Sequence, residues 1–395
     1  MTSTSGPAAT GPDPGPDGPS TAPGGPATVD VHAHALPMPL LRYLADRGYA
    51  DLSGVDAGTL LLDPAVSGVA KGARIPLAAE QYDVRRRLAT MDAAGIDAQL
   101  VAAPPFVFGS TSDDHDLVME ITRRSNDALA EHVASDTASG GAGDAAAGRR
   151  LAALGTVPVG LPGAAREAAR CLDELGMAGL TTGTFGGGRE LDDPANEDVW
   201  SLLTERRAFC LVHPSRASSP ARLRDYHLVQ LLGYPAETAL AAARLIFGGV
   251  LDRHDPVLCL VHGGGCLPGL APRLDLGWQR KEESRTIPTS PRDHLRRFHF
   301  DTAVFDAAAL RRLIEDVGHG NVLLGTDLPF DLADTGAVAA VRGLGLPPEA
   351  ERAVLGGNAA RLVPALTAPS RQEDPTCPSS RSPWPQDGRP TRSEN

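Results

Sequence analysis

Val29-Asp30-Val31-His32-Ala33-His34 alternates apolar and polar residues and ends on two imidazoles. In an extended strand, residues two apart project to the same face, so His32 and His34 point together. Two histidines at i and i+2 at a strand's end make half of a metal site. The pattern also arises by chance, so its meaning depends on the rest of the chain. Three later apolar runs stop in a similar way: Leu211-Val212-His213-Pro214, Leu260-Val261-His262-Gly263-Gly264-Gly265, and Leu323-Leu324-Gly325-Thr326-Asp327-Leu328-Pro329-Phe330. A cap or turn residue explains one such ending, and aspartate suits that role best. Four endings of this kind are hard to attribute to turn chemistry alone.

Working outward, short apolar runs at 28–32, 98–103, 151–157, 178–182, 209–213, 257–262, 299–303 and 321–326 read as strands. Helical periodicity lies between them at 84–94, 164–175, 199–206 and 307–317. Several runs are nearly continuous in Val, Leu and Ala, as expected of strands buried on both faces. Eight strands alternating with helices in one domain favour an α/β fold of the (β/α)₈ TIM-barrel type. A doubly wound open sheet uses the same unit and is the alternative. Two connections are long, 35–82 after strand 1 and 215–255 after strand 5, the second with helical sequence at 236–247. In a barrel both follow C-terminal strand ends, where active-site loops sit. Such loop insertions suggest a covered pocket.

Residues 1–27 and 367–395 are dominated by Pro, Gly, Ser, Thr and other residues that build no core, and read as tails. The stretch 136–148 is rich in Gly and Ala and reads as a flexible surface loop. The folded body is therefore expected at 28–366. A hydrophobic content of 42% supplies a core, and a net charge of −12 without a dense basic stretch argues against nucleic acid or an anionic membrane as partner. Arg85, Arg86 and Arg87 read as a solvated helix face. No run of about 18 apolar residues marks a membrane span. The first residues, Met-Thr-Ser-Thr-Ser-Gly-Pro, lack the basic and apolar regions of a signal peptide. Five cysteines with no CxxC pair suggest reduced thiols and a cytoplasmic location.

Imidazoles with a carboxylate suit Zn²⁺, with Mn²⁺ or Fe²⁺ as alternatives. Three histidines and one aspartate, His32, His34, His213 and Asp327, leave room for a water or a substrate oxygen beside one divalent ion. Such an ion lowers the pKa of bound water and polarises oxygen ligands. His262 falls one strand from His213, where an imidazole is suited to moving protons.

Taken together these residues resemble the amidohydrolase superfamily, in particular its branch of metal-dependent non-oxidative decarboxylases similar to 2-amino-3-carboxymuconate-6-semialdehyde decarboxylase. The resemblance runs from Val29 to Val363. It also rests on Met91-Asp92-Ala93-Ala94-Gly95-Ile96-Asp97, Pro235-Ala236-Glu237-Thr238, Phe300-Asp301-Thr302-Ala303-Val304-Phe305 and Gly357-Asn358-Ala359. It implies His32, His34, His213 and Asp327 as metal ligands and His262 as the catalytic acid/base. It further implies that Arg74 and Arg273 bind the carboxylate of a small unsaturated or aromatic acid, a task that suits the planar guanidinium fork. In such enzymes the second arginine reaches the neighbouring subunit's site, so a homodimer is expected. Taken by themselves, Arg74 and Arg273 read equally as surface residues.

Departures from the resemblance fall in the pocket wall: Ser215 and Tyr226 stand where tryptophans are expected, and Leu328 where an aromatic is. The nearest alternative is a mononuclear hydrolase of a lactone, amide or ester, with His262 and Asp327 managing protons. A binuclear centre bridged by a carboxylated lysine is disfavoured, because the only lysines, Lys71 and Lys281, are far from strand 4. A binding protein on a decayed barrel would not keep the whole polar set. Gly186-Gly187-Gly188 lacks the spacing of a dinucleotide loop.

Overall fold

The computed structural model describes residues 27–138 and 149–366. Both expected tails, apart from Ala27 and its neighbours in the body, lie outside the described residues, as does most of the 136–148 stretch. Eight strands form one parallel sheet: β1 (Val29–His34), β2 (Ala98–Ala102), β3 (Leu151–Val157), β4 (Gly179–Thr182), β5 (Phe209–Val212), β6 (Val257–Leu260), β7 (His299–Asp301) and β8 (Val322–Leu323). Their spatial order follows their sequence order without reversal. A doubly wound sheet would reverse at a switch point. The sheet also closes on itself. Val31 donates to Leu324 O at 2.9 Å, Asp327 to His32 O at 2.8 Å and His34 to Leu328 O at 2.8 Å, and Ala33 bridges Leu328 in parallel. These bonds join β1 to the chain leaving β8, and the barrel reading holds.

The outer helices are α1 (Val84–Ala94), α2 (His115–Ala134), α3 (Ala164–Asp173), α4 (Glu197–Arg206), α5 (Tyr234–Phe247), α6 (Leu267–Arg280), α7 (Ala307–Val317) and α8 (Ala337–Gly343). Three of these starts carry an aspartate cap. Asp83 accepts from the backbone of Arg85 and Arg86, Asp114 from Leu117, and Asp306 from Ala309, each satisfying amides that the first turn leaves unpaired. The helices cover the strands with a large apolar cluster including Met91, Leu129, Leu180, Trp200, Leu245 and Phe300.

The connection 35–82 carries more order than a loop. It holds a helix (Met38–Asp46) and a small antiparallel sheet of Ala50–Asp51, Thr59–Leu62 and Ile75–Pro76. Leu40, Leu44, Leu60 and Leu77 pack there into an apolar cluster shared with Phe108 and Ile121 of the chain after β2. Strands this short leave no periodicity to read. Asp136 also departs from expectation. It is buried, and its carboxylate accepts from the backbone of Arg150 at 2.8 Å and Leu151 at 3.0 Å, pinning the start of β3.

Candidate metal centre and active site

Strands β5 to β8 end one to three residues before their apolar runs do, whereas β1 runs on to His34. His262 has φ of 56° and Asp327 of 63°, left-handed conformations that cost a non-glycine residue about 1–3 kcal/mol and concentrate at functional sites. His213 remains tied to β4, its amide donating to Thr182 O at 2.9 Å. Gly265 has φ of 61°, and a Cβ there would stand 2.0 Å from Pro235 O. Gly265 therefore admits the backbone of α5, while a Cβ at Gly263 or Gly264 would meet the side chain of Val304 or Phe300.

The side chains converge. The ring centroids of His32, His34 and His213 are 5.0–5.2 Å apart. Asp327 Oδ1 lies 3.2 Å from His32 Nε2 and 3.0 Å from His34 Nε2, and Asp327 Oδ2 lies 3.6 Å from His262 Nε2. Distance alone makes His262 as good a ligand as any. One donor atom each from His32, His213, His262 and Asp327 fall within 4.8 Å of one another.

Hydrogen bonding separates the four imidazoles. His32 Nδ1 meets Asp301 Oδ2 at 2.6 Å, His34 Nδ1 meets Ala103 O at 3.3 Å, and His213 Nδ1 meets Pro214 O at 2.8 Å. Each acceptor favours a proton on Nδ1, which makes Nε2 the nitrogen open to a cation. Those three Nε2 atoms and Asp327 Oδ1 are buried without hydrogen-bond partners among the described residues, an arrangement that is costly unless a cation completes it. His262 differs: its Nδ1 has no such acceptor among the described residues.

Electrostatics agree with a cation-binding role. Burial drives His213 well below its ordinary range, helped by the neighbouring imidazoles, and it also lowers His34. Burial opposes ionisation of Asp327, but His32, His262 and His34 outweigh it and hold the carboxyl well below the usual range. Burial likewise opposes charge on His32, yet Asp327 and Asp301 pull it up to about 10. The two carboxylates thus attract a positive charge to this point, and a divalent cation would displace that proton.

Beneath the histidine–aspartate cluster lies a polar assembly that sequence reading missed. Asp30 is fully buried and accepts from the His32 amide at 3.0 Å, Thr326 Oγ1 at 2.6 Å and Gln99 Nε2 at 2.7 Å. Gln99 in turn accepts from Arg87 Nη1 at 2.7 Å, and Arg87 also donates to His34 O. Arg87 is 2% exposed, which corrects its reading as a solvated residue. The helical spacing of Val84, Arg87 and Met91, all buried, is the signal that placed it on the inner face. Replacing Arg87 with methionine leaves two buried acceptors unmatched and should cost roughly 2–4 kcal/mol. Chemical denaturation checks this, and a change below about 1 kcal/mol would contradict it.

Around the cluster, Phe330 lies 4.7 Å from His34 and 6.3 Å from Phe106, and Tyr234 lies 6.5 Å from His213, ring centre to ring centre. Burial and Asp327 push the Tyr234 hydroxyl up to about 12. The positions singled out as departures behave differently. Ser215 donates to Ser110 at 2.6 Å, Tyr226 is 85% exposed, and Leu328 is buried. Arg74 and Arg273 are both exposed. Arg74 reaches Thr59 Oγ1 at 3.4 Å, and among the described residues no hydrogen bond or ion pair joins either arginine to the cluster. Lys71 and Lys281 are exposed and lie outside β4.

An amidohydrolase family model matches residues 29–365. The chain belongs to that family. Among characterised members, it is 30% identical over 257 residues to 2-amino-3-carboxymuconate-6-semialdehyde decarboxylase of Dictyostelium discoideum, covering 64% of this chain and 68% of the relative. The structure superposes on 5-carboxyvanillate decarboxylase of Sphingomonas paucimobilis with a TM-score of 0.68 and 26% identity, over 85% of this chain and 98% of that one. A dihydroxybenzoic acid decarboxylase of Polaromonas, with bound manganese and 2-nitroresorcinol, shares the fold at a TM-score of 0.66 and 21% identity, over 85% and 96% of the two chains. All three relatives are decarboxylases.

Proposed function

We propose that this protein is a metal-dependent non-oxidative decarboxylase of an unsaturated or aromatic carboxylic acid. The observation that carries the reading is the set of three imidazoles with bare, convergent Nε2 atoms beside Asp327 Oδ1. In this reading His32, His34, His213 and Asp327 hold one divalent ion, and His262 is the acid/base. The donor set matches Zn²⁺. Manganese, bound in the Polaromonas neighbour, is the alternative that elemental analysis distinguishes. A bound ion there supplies orientation and Lewis-acid polarisation of the substrate's oxygen groups.

The remaining chemistry belongs to side chains. Breaking the bond to the carboxylate leaves its electron pair on carbon, so a proton must arrive there as carbon dioxide departs. His262, whose Nε2 stands 3.6 Å from Asp327 Oδ2, suits that delivery. Phe330, Phe106 and Tyr234 offer ring faces to a planar substrate. Carbon dioxide release should be assayed across a panel of aromatic and unsaturated acids with metal-loaded protein. Hydrolysis of lactones, amides or esters with no carbon dioxide from any acid would overturn the reading in favour of a hydrolase.

Arg74 and Arg273 are assigned to the substrate carboxylate, Arg273 acting in the partner's site of a homodimer. Supporting this, Arg273 is exposed on α6 between Leu270 and Leu276, themselves 40% and 44% exposed. Such an apolar helix face suits burial against a second copy. Mixing Arg273→Ala with His262→Ala subunits should recover activity, because one hybrid site regains both residues. No recovery in proven heterodimers would remove Arg273 from that role.

The folded unit is taken as 28–366, with 1–27 and 367–395 outside it. A chain trimmed to that unit should melt within a few degrees of the full chain, and a large loss would show that an end is structural. No helix among the described residues is long and apolar enough to cross a membrane. Among the described residues Cys171, Cys210, Cys259 and Cys266 form no disulfide with one another, which supports a reducing, cytoplasmic setting.

A further inference from the structure

We propose that Asp301 is a positioning residue whose single carboxylate sets both the tautomer of His32 and the turn that presents His262. The proposal rests on the reading of His32 as a ligand and His262 as the acid/base. Its geometry is direct. Asp301 closes β7 and is completely buried. Oδ2 lies 2.6 Å from His32 Nδ1. Oδ1 accepts from the Gly263 amide at 2.7 Å and the Ala303 amide at 3.2 Å.

Three groups that donate or can donate face this carboxylate, and an ionised carboxylate is an acceptor only. Nδ1 of His32 must therefore carry a proton, which makes Nε2, on the side facing Asp327, the nitrogen a cation can take. The opposite oxygen holds the amide that follows His262, within a turn where His262 and Gly263 have φ of 56° and 60°. A left-handed histidine persists only where its surroundings over-determine it, and the bond to Gly263 is one such restraint. The carboxylate is also boxed in. A Cβ at Gly325 would stand 2.7 Å from Asp301 Cβ and 3.1 Å from His32 Cβ, so the chain leaving β8 packs directly on the pair. One group thereby registers a ligand on β1 with the proton carrier after β6, two positions 230 residues apart in the numbering of the chain.

Asp301→Asn tests the two halves separately, because it keeps the shape and reverses the donor sense of one oxygen. With its remaining oxygen on the Gly263 and Ala303 amides, its NH₂ faces His32 Nδ1 and drives the proton to Nε2, the wrong tautomer for a ligand. Turning the amide over would instead set a donor against two donors. In the full chain loaded with Zn²⁺ and challenged with a chelator, Asp301→Asn should bind zinc about 10–100-fold more weakly. Its Gly263 amide should remain protected from hydrogen exchange. Asp301→Ala should weaken zinc similarly and also lose protection at Gly263. Wild-type zinc affinity in Asp301→Asn overturns the tautomer role, and unchanged Gly263 protection in Asp301→Ala overturns the turn role. If Asp301→Ala does not fold, the turn role is read instead from Asp301→Glu, whose longer arm should disturb Gly263 exchange. These readouts do not involve turnover, so a failure to release carbon dioxide would count against the decarboxylase reading and leave this test intact.

Discussion

Asp327→Ala is expected to lose the bound metal and, with it, all measurable carbon dioxide release. Asp327 is the one anionic donor of the set, and its Oδ1 stands within 3.2 Å of two imidazole nitrogens. Removing it leaves three imidazoles, two of which burial already keeps from carrying charge, with no carboxylate at the centre to offset the positive charge of the ion. The loss of affinity should exceed the roughly 10–100-fold that follows loss of an outer partner of a ligand. Elemental analysis of the purified variant provides the check. Full occupancy would remove Asp327 from the ligand set and force a different reading of the centre.

The variant His262→Ala should behave in the opposite way, keeping its metal while turnover falls about 10²–10⁴-fold, the usual contribution of a positioned acid or base. The contest is real, because interatomic distance groups His262 with His32, His213 and Asp327. What separates it is the second nitrogen. The three assigned ligands each have Nδ1 on an oxygen acceptor, whereas Nδ1 of His262 has none among the described residues. An acceptor at Nδ1 turns Nε2 towards a cation as a ligand nitrogen, and no acceptor among the described residues does this for His262. Metal loss in His262→Ala would reverse that division of labour.

Much of the site could be read from strand alternation and from where apolar runs stop. His32 and His34 share a face because side chains alternate along β1, and His213, His262 and Asp327 each stand where an apolar run gives way to Pro, Gly or Leu-Pro. The outer partners were not legible. Asp301, Asp30 and Gln99 are buried polar residues on barrel strands and Arg87 is one on the helix α1, and a local pattern assigns polar residues to surfaces or turns. Phe330 was hidden for a related reason: the aromatic against His34 comes two residues later than the position where one was sought, Leu328.

The sequence by itself determined the order and type of the eight strands, the helices that separate them, and the identity of the ligand-type residues at their ends. These depend on local periodicity, which reports whether a segment is extended or helical and which side is apolar. Only the tertiary structure decided that the sheet closes, since closure lies in the backbone bonds from Val31, His34 and Asp327 across to the other end of the chain. It alone also distinguished one imidazole from another. A histidine's chemistry is set by what its second nitrogen meets, and the partner that meets His32 is 269 residues away in the chain, beyond the reach of any local pattern.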